Sequence, residues 1–157
     1  MKLILVGLAL TINFGGYSQS NKFVKPPLRL NNVNIETFGS GLGYSINYDR
    51  VIPLDSLYNF SISGGYEYND EHFLLTQFNL LIGNIHYFEL GFGYLYCINN
   101  SKLDYSKIFS LRIGYRYENI FKRGLVFRIG LTPLINYNLE FNPAGSMFGG
   151  IALGYNF

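Results

Sequence analysis

The sequence has 157 residues, with 12 Lys and Arg, 10 Asp and Glu, and a formal net charge of +2. At ~150 residues per domain, this length fits one domain with a substantial core. Only 14% of the residues are charged, 18% are aromatic, and the chain has 18 glycines and one cysteine. This composition excludes a disordered chain, a disulfide scaffold and a cysteine-rich zinc module. The lack of clustered Lys and Arg argues against a nucleic-acid partner.

Residues 1–18 are predicted to be a signal peptide. Lys2 supplies a positive charge, and residues 3–12 form the short apolar stretch that such peptides contain. Gly16 and Ser18 provide the small residues that precede a cleavage site. The alternative is a short buried helix or strand at the N-terminus.

Residues 19–31 are predicted to be an extended periplasmic lead-in, because they contain Pro26 and Pro27 and show little pattern. Residues 32–157 then form the single domain. No later apolar run reaches the ~18–20 residues of a membrane-spanning helix. Any membrane insertion of the processed chain must therefore use strands.

The rest of the chain alternates between apolar and polar residues with a period of two, which is the period of side chains along a strand. The alternating segments are residues 42–49, 58–69, 74–83, 88–97, 109–117, 125–132 and 150–157. Four apolar residues, Leu75, Leu81, Leu95 and Val126, fall on the polar faces. The pattern predicts an all-β protein in which each strand has one apolar face.

The composition of the two faces indicates which one faces lipid. The apolar faces are almost purely Leu, Ile, Phe and Tyr, whereas the polar faces hold Gly, Ser, Asn and charges of both signs, among them Glu36 and Asp49. Apolar-out, polar-in segments of ~10 residues are typical of a closed antiparallel transmembrane β-barrel. The predicted polar network of its lumen comprises Glu67, Gln77, Glu89, Arg112, Arg116 and Arg128. The inverted alternative is a secreted lipocalin-like barrel.

The number of strands follows from parity, because a single-chain bacterial barrel has an even number. Seven segments are evident, so residues 32–49 are interpreted as a hairpin that turns at residues 39–41, which gives eight strands. The alternative is one long bent strand there, with the eighth strand in residues 134–141.

The C-terminal segment, residues 151–157, ends in Phe157 and has apolar or aromatic residues at every second position before it. In this it resembles the eight-stranded outer-membrane barrels of the OmpA transmembrane-domain and OmpX type. The resemblance implies an integral outer-membrane location among outer-membrane lipid. It also implies that the barrel-assembly machinery reads Leu153, Tyr155 and Phe157. The chain departs from OmpA in lacking a following peptidoglycan-binding domain.

In such a barrel the C-terminus lies on the periplasmic side. The periplasmic connections are then near residues 51–57, 84–86 and 119–123, and the outward ones near residues 39–41, 69–72, 98–107 and 135–147. An eight-stranded barrel is just wide enough to fill with side chains, so a general diffusion porin is not expected. The predicted role is structural or surface-interacting. The two long outward loops, with Leu103, Tyr105, Phe141 and Met147, would present contact surface to an extracellular ligand.

Two alternatives to this role stay open, a narrow solute channel and a lipid-modifying enzyme with its site at the outer rim. For the enzyme, His72 lies in a predicted outward loop beside Asp70 and Glu71, and Ser101, Asp104 and Ser106 lie in another. A His that orients a Ser hydroxyl with support from an acid is the arrangement of nucleophilic hydrolysis. His86 falls in a predicted periplasmic turn, on the other side. We expect no catalytic residues, no metal site and no cofactor, and Cys97 is predicted to be a small filler of the lumen.

Overall fold

The computed structural model describes residues 28–39, 43–68, 72–98, 107–136 and 147–157. The strands are β1 (Asn31–Phe38), β2 (Tyr44–Pro53), β3 (Tyr58–Tyr68), β4 (His72–Gly83), β5 (His86–Cys97), β6 (Lys107–Tyr117), β7 (Gly124–Asn136) and β8 (Met147–Asn156). Each strand pairs antiparallel with the next, and β8 pairs with β1 to close the barrel. The predicted all-β, eight-stranded antiparallel barrel is confirmed. No helix long and apolar enough to cross a membrane occurs among the described residues.

The first hairpin settles the question of strand number. β1 and β2 pair from Asn31 with Arg50 to Thr37 with Tyr44. Phe38 and Gly39 follow in the left-handed region, at φ 54° and 86°, a conformation that glycine adopts without cost. The alternative of one long bent strand is therefore wrong.

The two ends of the barrel differ. The turn end carries both ends of the described chain and the short connections 54–57, 84–85 and 118–123, whereas the loop end carries the connections between β1 and β2, β3 and β4, β5 and β6, and β7 and β8. The long outward loops of the prediction, with Ser101, Asp104, Leu103, Tyr105, Ser106 and Phe141, lie outside the described residues. So do Asp70, Glu71 and the predicted signal peptide.

Several strands extend further than predicted. Residues 51–53 belong to β2, because Pro53 still pairs with Asn59. His72 and His86 are the first residues of β4 and β5, and Met147 is the first residue of β8, so none of them is a loop residue.

The connection after β2 is held by Asp55. Its carboxylate accepts the backbone N–H groups of Leu57 and Tyr58, each at 2.7 Å. These bonds favour the ionised carboxylate and lower the pKa of Asp55. A single aspartate thus shapes a four-residue turn, which explains why the connection is shorter than the sequence suggested.

The apolar faces point outward. Phe92 and Leu153 are 47% and 61% exposed, whereas Glu89 and Arg112 are 0% and 1% exposed. The outer surface carries a belt of exposed Leu, Ile, Phe and Tyr side chains around the whole barrel. The alternative of a lipocalin-like barrel, with its apolar faces inside, is therefore wrong.

A row of glycines lets the barrel wall curve sharply. Gly114, Gly130 and Gly150 are cross-strand partners on β6, β7 and β8. A Cβ on Gly130 would lie 2.8 Å from the carbonyl oxygen of Ile113 and 2.9 Å from the Cα of Gly114. The backbones of β6 and β7 therefore approach more closely at Gly114 and Gly130 than a Cβ at either position would allow. Glycines have this role at barrel corners.

We predict that Gly130→Ala weakens folding, because the added methyl group has to displace backbone atoms. The expected loss is about 1–3 kcal/mol in the free energy of unfolding, measured by urea titration of the refolded barrel with heat-modifiable gel mobility as the readout. Gly124→Ala, at the start of the same strand, is the control, because nothing lies within 4 Å of its Cβ position. Equal stability of the two variants would contradict a steric role for this row.

Candidate functional site: the charged interior

Three arginines lie at the centre of the barrel. Arg112 and Arg116 occupy inward positions of β6, and Arg128 occupies an inward position of β7. Their side chains are at most 1% exposed. Burying a charge without a partner is costly, so each guanidinium requires nearby acids. We call these arginines and the acids that contact them, Glu36, Asp49, Glu89 and Glu118, the ionic layer.

Arg116 joins opposite sides of the barrel. Its Nη2 and Nη1 lie 2.8 Å and 3.3 Å from the two carboxylate oxygens of Asp49 on β2. Its Nε donates to Glu118 Oε2 at 2.8 Å, and its Nη2 contacts the same oxygen. Since β2 and β6 are four strands apart in an eight-stranded ring, this fork of hydrogen bonds crosses the lumen.

Glu89 on β5 is the shared anion of the layer. Its Oε1 lies 2.5 Å from Nη2 of Arg128 and 3.9 Å from Nη1 of Arg116, and its Oε2 lies 3.3 Å from Nε of Arg112. Arg112 also pairs with Glu36 on β1. Arg128 donates a further bond to Gln77 Oε1 at 3.3 Å. The Glu89 carboxylate thus contacts all three arginines and partly offsets the charge of each.

Amide and hydroxyl groups extend the ionic layer along β1 to β4. Asn32 donates to Asp49 and to Glu118, both at 3.2 Å, and Ser61 donates to Asp49 at 3.1 Å. Asn79 in turn donates to Ser61 at 3.1 Å. These neutral groups donate hydrogen bonds to carboxylate oxygens that the arginines do not fully satisfy, as buried polar networks require.

Two apolar clusters lie in the interior, one on each side of the ionic layer. The turn-end cluster is Val51, Leu81, Tyr87 and Ile120, with Leu30 packed against it. The loop-end cluster is Phe73, Leu75, Leu95 and Cys97, with Ile108 packed against it. The sequence pattern places three leucines on the polar faces: Leu75, Leu81 and Leu95. The structure explains this, because all three belong to the clusters and so occupy the interior beyond the ionic layer. Val126 is fully buried as well.

The chain itself helps to seal the turn end. The backbone N–H of Arg29 donates to the carbonyl of Ile120 at 2.6 Å, and Val51 N–H donates to the carbonyl of Leu30 at 2.7 Å. The residues before β1 therefore lie across the mouth of the barrel and against the turn that follows β6. Ile120, in that turn, is 5% exposed.

A filled ionic interior inside an apolar belt can be compared with known structures. The N-terminal β-barrel domain of Pseudomonas aeruginosa OprF, known from a crystal structure, is 18% identical and matches with a TM-score of 0.50 over 82% of this chain and 98% of that one. The chain has the fold of the small outer-membrane barrels. The crystal structure of the outer-membrane enzyme PagL matches with a TM-score of 0.45 and 14% identity over 80% of this chain and 98% of that one. No protein-family model and no curated protein matches the sequence.

All six predicted lumen residues of this outer-membrane barrel fold lie buried on inward faces. Gln77, Glu89, Arg112, Arg116 and Arg128 come together in and around the ionic layer. Glu67 lies nearer the loop end, on the inward face of β3.

The predicted network omitted three acids that the structure brings into contact with the arginines. Glu36 and Asp49 had been placed on polar faces, but the sequence does not show that β1 and β2 lie across from β6. The predicted network lacks Glu118 because this residue follows Tyr117, the last residue of β6. Glu118 lies an even number of residues after Arg112 and Arg116. With a period of two, this spacing predicts that its side chain points inward as theirs do.

Glu118 is the acid of the layer that lies outside the strands. Its burial raises the pKa of its carboxyl, against the opposite effect of the Arg116 guanidinium, and the nearby Asp49 carboxylate raises it further. The protonated form of Glu118 is therefore favoured to a higher pH than for a carboxyl in water.

His72 and His86 lie on the outer surface at opposite ends of the belt. Nδ1 of His72 is 2.8 Å from the Tyr66 hydroxyl, and Nδ1 of His86 is 2.7 Å from the Tyr115 hydroxyl. His72 also packs against Tyr68, with ring centroids 5.4 Å apart. In the described part of the chain, the hydrogen-bond partner of His72 is a tyrosine.

The last strand closes the barrel with its apolar side outward. Leu153 pairs with Ile35 of β1 and Phe127 of β7, and Tyr155 pairs with Val33 and Leu125. Leu153, Tyr155 and Phe157 are all exposed on the belt. Cys97 lies buried in the loop-end cluster.

We predict that Arg116→Met strongly destabilises the barrel, because it leaves the Asp49 and Glu118 carboxylates buried without their main cation. The expected loss is about 3–5 kcal/mol in the free energy of unfolding, measured by urea titration in vesicles. Arg123→Met is the matched control, since Arg123 is exposed in the connection before β7. It should change the same quantity by less than about 0.5 kcal/mol. Similar losses in both variants would show that the Arg116 pairs contribute nothing specific.

Proposed function

We propose that the protein is an integral outer-membrane barrel with a structural or surface-interaction role, in which a filled, rigid frame supports the loops of the loop end. The observation that carries this proposal is the interior: an ionic layer bridges the lumen, and an apolar cluster lies on each side of it. The apolar belt supports membrane insertion. The outer-membrane barrel fold supports the location.

A narrow solute channel is less well supported. A permeating ion would have to pass between Arg116 and Asp49, which join opposite walls, and then through the turn-end cluster. Opening that path would leave buried charges without partners, at a cost of several kcal/mol. The interior therefore favours a plug over a pore.

The lipid-modifying enzyme stays the other alternative. His72 lies at the loop end, as such a site requires, but Tyr66 occupies its Nδ1. The serines and acids proposed to complete the site lie outside the described residues. No observation on the described residues favours this reading over the structural role.

The proposal includes an export and assembly route. Residues 1–18 would direct secretion, residues 19–31 would form the lead-in, and the barrel-assembly machinery would read Leu153, Tyr155 and Phe157. The outward exposure of these three side chains supports the last step. The proposed functional partner is an extracellular ligand that contacts residues 98–107 and 135–147, while outer-membrane lipid surrounds the belt.

The orientation can be tested with an epitope placed at either end of the barrel. We expect an epitope inserted within residues 137–146 to bind antibody on intact cells, and one inserted within residues 54–57 to bind only after permeabilisation. Both variants should fractionate with the outer membrane and keep the gel shift on boiling. Labelling of the turn-end epitope on intact cells would reverse the proposed orientation, and release of the parent into the soluble periplasmic fraction would refute membrane integration.

The filled interior predicts that the purified protein passes no steady current in planar bilayers, because the ionic layer and both clusters block the lumen. A general porin inserted under the same conditions serves as the positive control. Reproducible single-channel steps from the parent protein would instead establish the narrow solute channel.

A further inference from the structure

The part of the outer belt whose side chains the structure describes contains one charged residue, on β2. Among the side chains that the structure describes on the outward faces of the strands, only that of Arg50 belongs to a Lys, Arg, Asp or Glu. A charge that faces lipid is costly at the centre of a bilayer and is tolerated near the interface. Arg50 fits the interface, because it lies three residues from the turn end of β2.

The guanidinium of Arg50 is oriented but not neutralised. Its Nη1 donates to Asn31 Oδ1 at 3.2 Å, and the hydroxyl of Tyr48 donates to the same oxygen at 2.8 Å. None of the ion pairs between described residues involves Arg50, which is exposed. A guanidinium has five N–H donors, and one of them is used in the bond to Asn31, so donors remain for a bidentate anion such as a phosphate.

A shallow groove lies on the same outer face, two residues along β2 from Arg50, at Tyr48. It has a volume of about 430 Å³, and its lining includes Val33, Ile46, Tyr48, Gly64, Tyr66 and Leu74. The groove exists because Gly64, the cross-strand partner of Tyr48, has no side chain: the nearest atom to its Cβ position is 3.9 Å away. Tyr48 lines the groove and also contacts the residue that orients Arg50.

The spacing of the two features matches one ligand. Arg50 pairs with Ile62, and Tyr48 pairs with Gly64, so the groove opens two residues along the strands from the cation. Two strand residues span roughly 7 Å. The groove extends from Arg50 away from the turn end, which is the direction that an acyl chain takes from its headgroup.

We infer that this surface binds one glycerophospholipid, with its phosphate on Arg50 and one acyl chain in the groove over Gly64. The charge of the site complements a phosphate, and its apolar lining complements a hydrocarbon chain. The site selects the leaflet at the turn end, because only there does the headgroup reach Arg50. This inference rests on the membrane-embedded barrel proposed above.

The test measures phospholipid retention by native mass spectrometry of the purified barrel in mild detergent with added phosphatidylglycerol. Arg50→Gln removes the charge, and Gly64→Leu adds bulk to the groove at a position where a Cβ would make only an ordinary contact, 3.9 Å from the Leu75 carbonyl oxygen. We expect each change to weaken retention roughly tenfold or more, the effect of losing one charge-assisted contact or one apolar site.

Two matched variants control for general effects of charge and bulk. Arg123→Gln removes an exposed arginine away from the groove, and Gly149→Leu adds the same side chain to another exposed glycine of the belt, on β8. Both should retain phospholipid like the parent. If Arg50→Gln and Gly64→Leu retain it equally well, or if the controls lose it equally, no specific site exists at this surface.

Membrane fractionation and the gel shift on boiling are recorded for every variant. An inserted, heat-modifiable parent with unchanged retention in Arg50→Gln and Gly64→Leu refutes the phospholipid site alone. A parent that does not fractionate with the membrane refutes the proposed function, and with it the inference.

Discussion

The pairing of β8 with β1 is the constraint on which the other features depend. In hydrocarbon an unpaired backbone amide or carbonyl costs several kcal/mol, so a sheet with an open edge cannot stay there. The ladder from Asn32 with Asn156 to Phe38 with Gly150 removes that edge. It also fixes the register of the whole ring. Because side chains alternate with a period of two, a slip of one residue would turn a row such as Arg112 and Arg116 toward lipid.

Once the ring is closed, the buried charges of the interior must satisfy one another. Buried salt bridges do not by themselves add stability, because desolvation opposes the Coulomb gain. Sharing offsets this cost: Glu89 contacts three arginines, and Asp49 accepts bonds from Arg116, Asn32 and Ser61. Apolar clusters lie on both sides of these contacts, and an apolar surrounding strengthens a hydrogen bond. A network that fails when one member is lost suits a rigid frame better than a gated path.

The sequence predicted the faces of this barrel well and the ends of its strands less well, and the reason is physical. Lipid on one side and a narrow lumen on the other impose alternation on every strand, so residues such as Phe92 and Glu89 reveal their sides directly. Strand ends depend on local bonds, such as the Asp55 carboxylate with the N–H groups after it, and these bonds have no period. The acids that pair with the arginines were harder to predict than the strand ends. Asp49 meets Arg116 only because β2 and β6 face each other across a closed ring, which no local pattern contains.

The proposed filled interior would leave two places for function, the loops and the outer wall. The wall is not uniform: tyrosine and histidine rings lie at both ends of the belt, around His72 at the loop end and around His86 at the turn end. Such aromatic residues prefer the membrane interface, where one edge of the ring is apolar and the other reaches water. Between them, strands of ~10 residues tilted by ~45° span about 23 Å, the height of an outer-membrane apolar band. Arg50 lies toward the boundary at the turn end. A charge is tolerated at this boundary because water and headgroups are within reach, whereas the middle of the belt would exclude it.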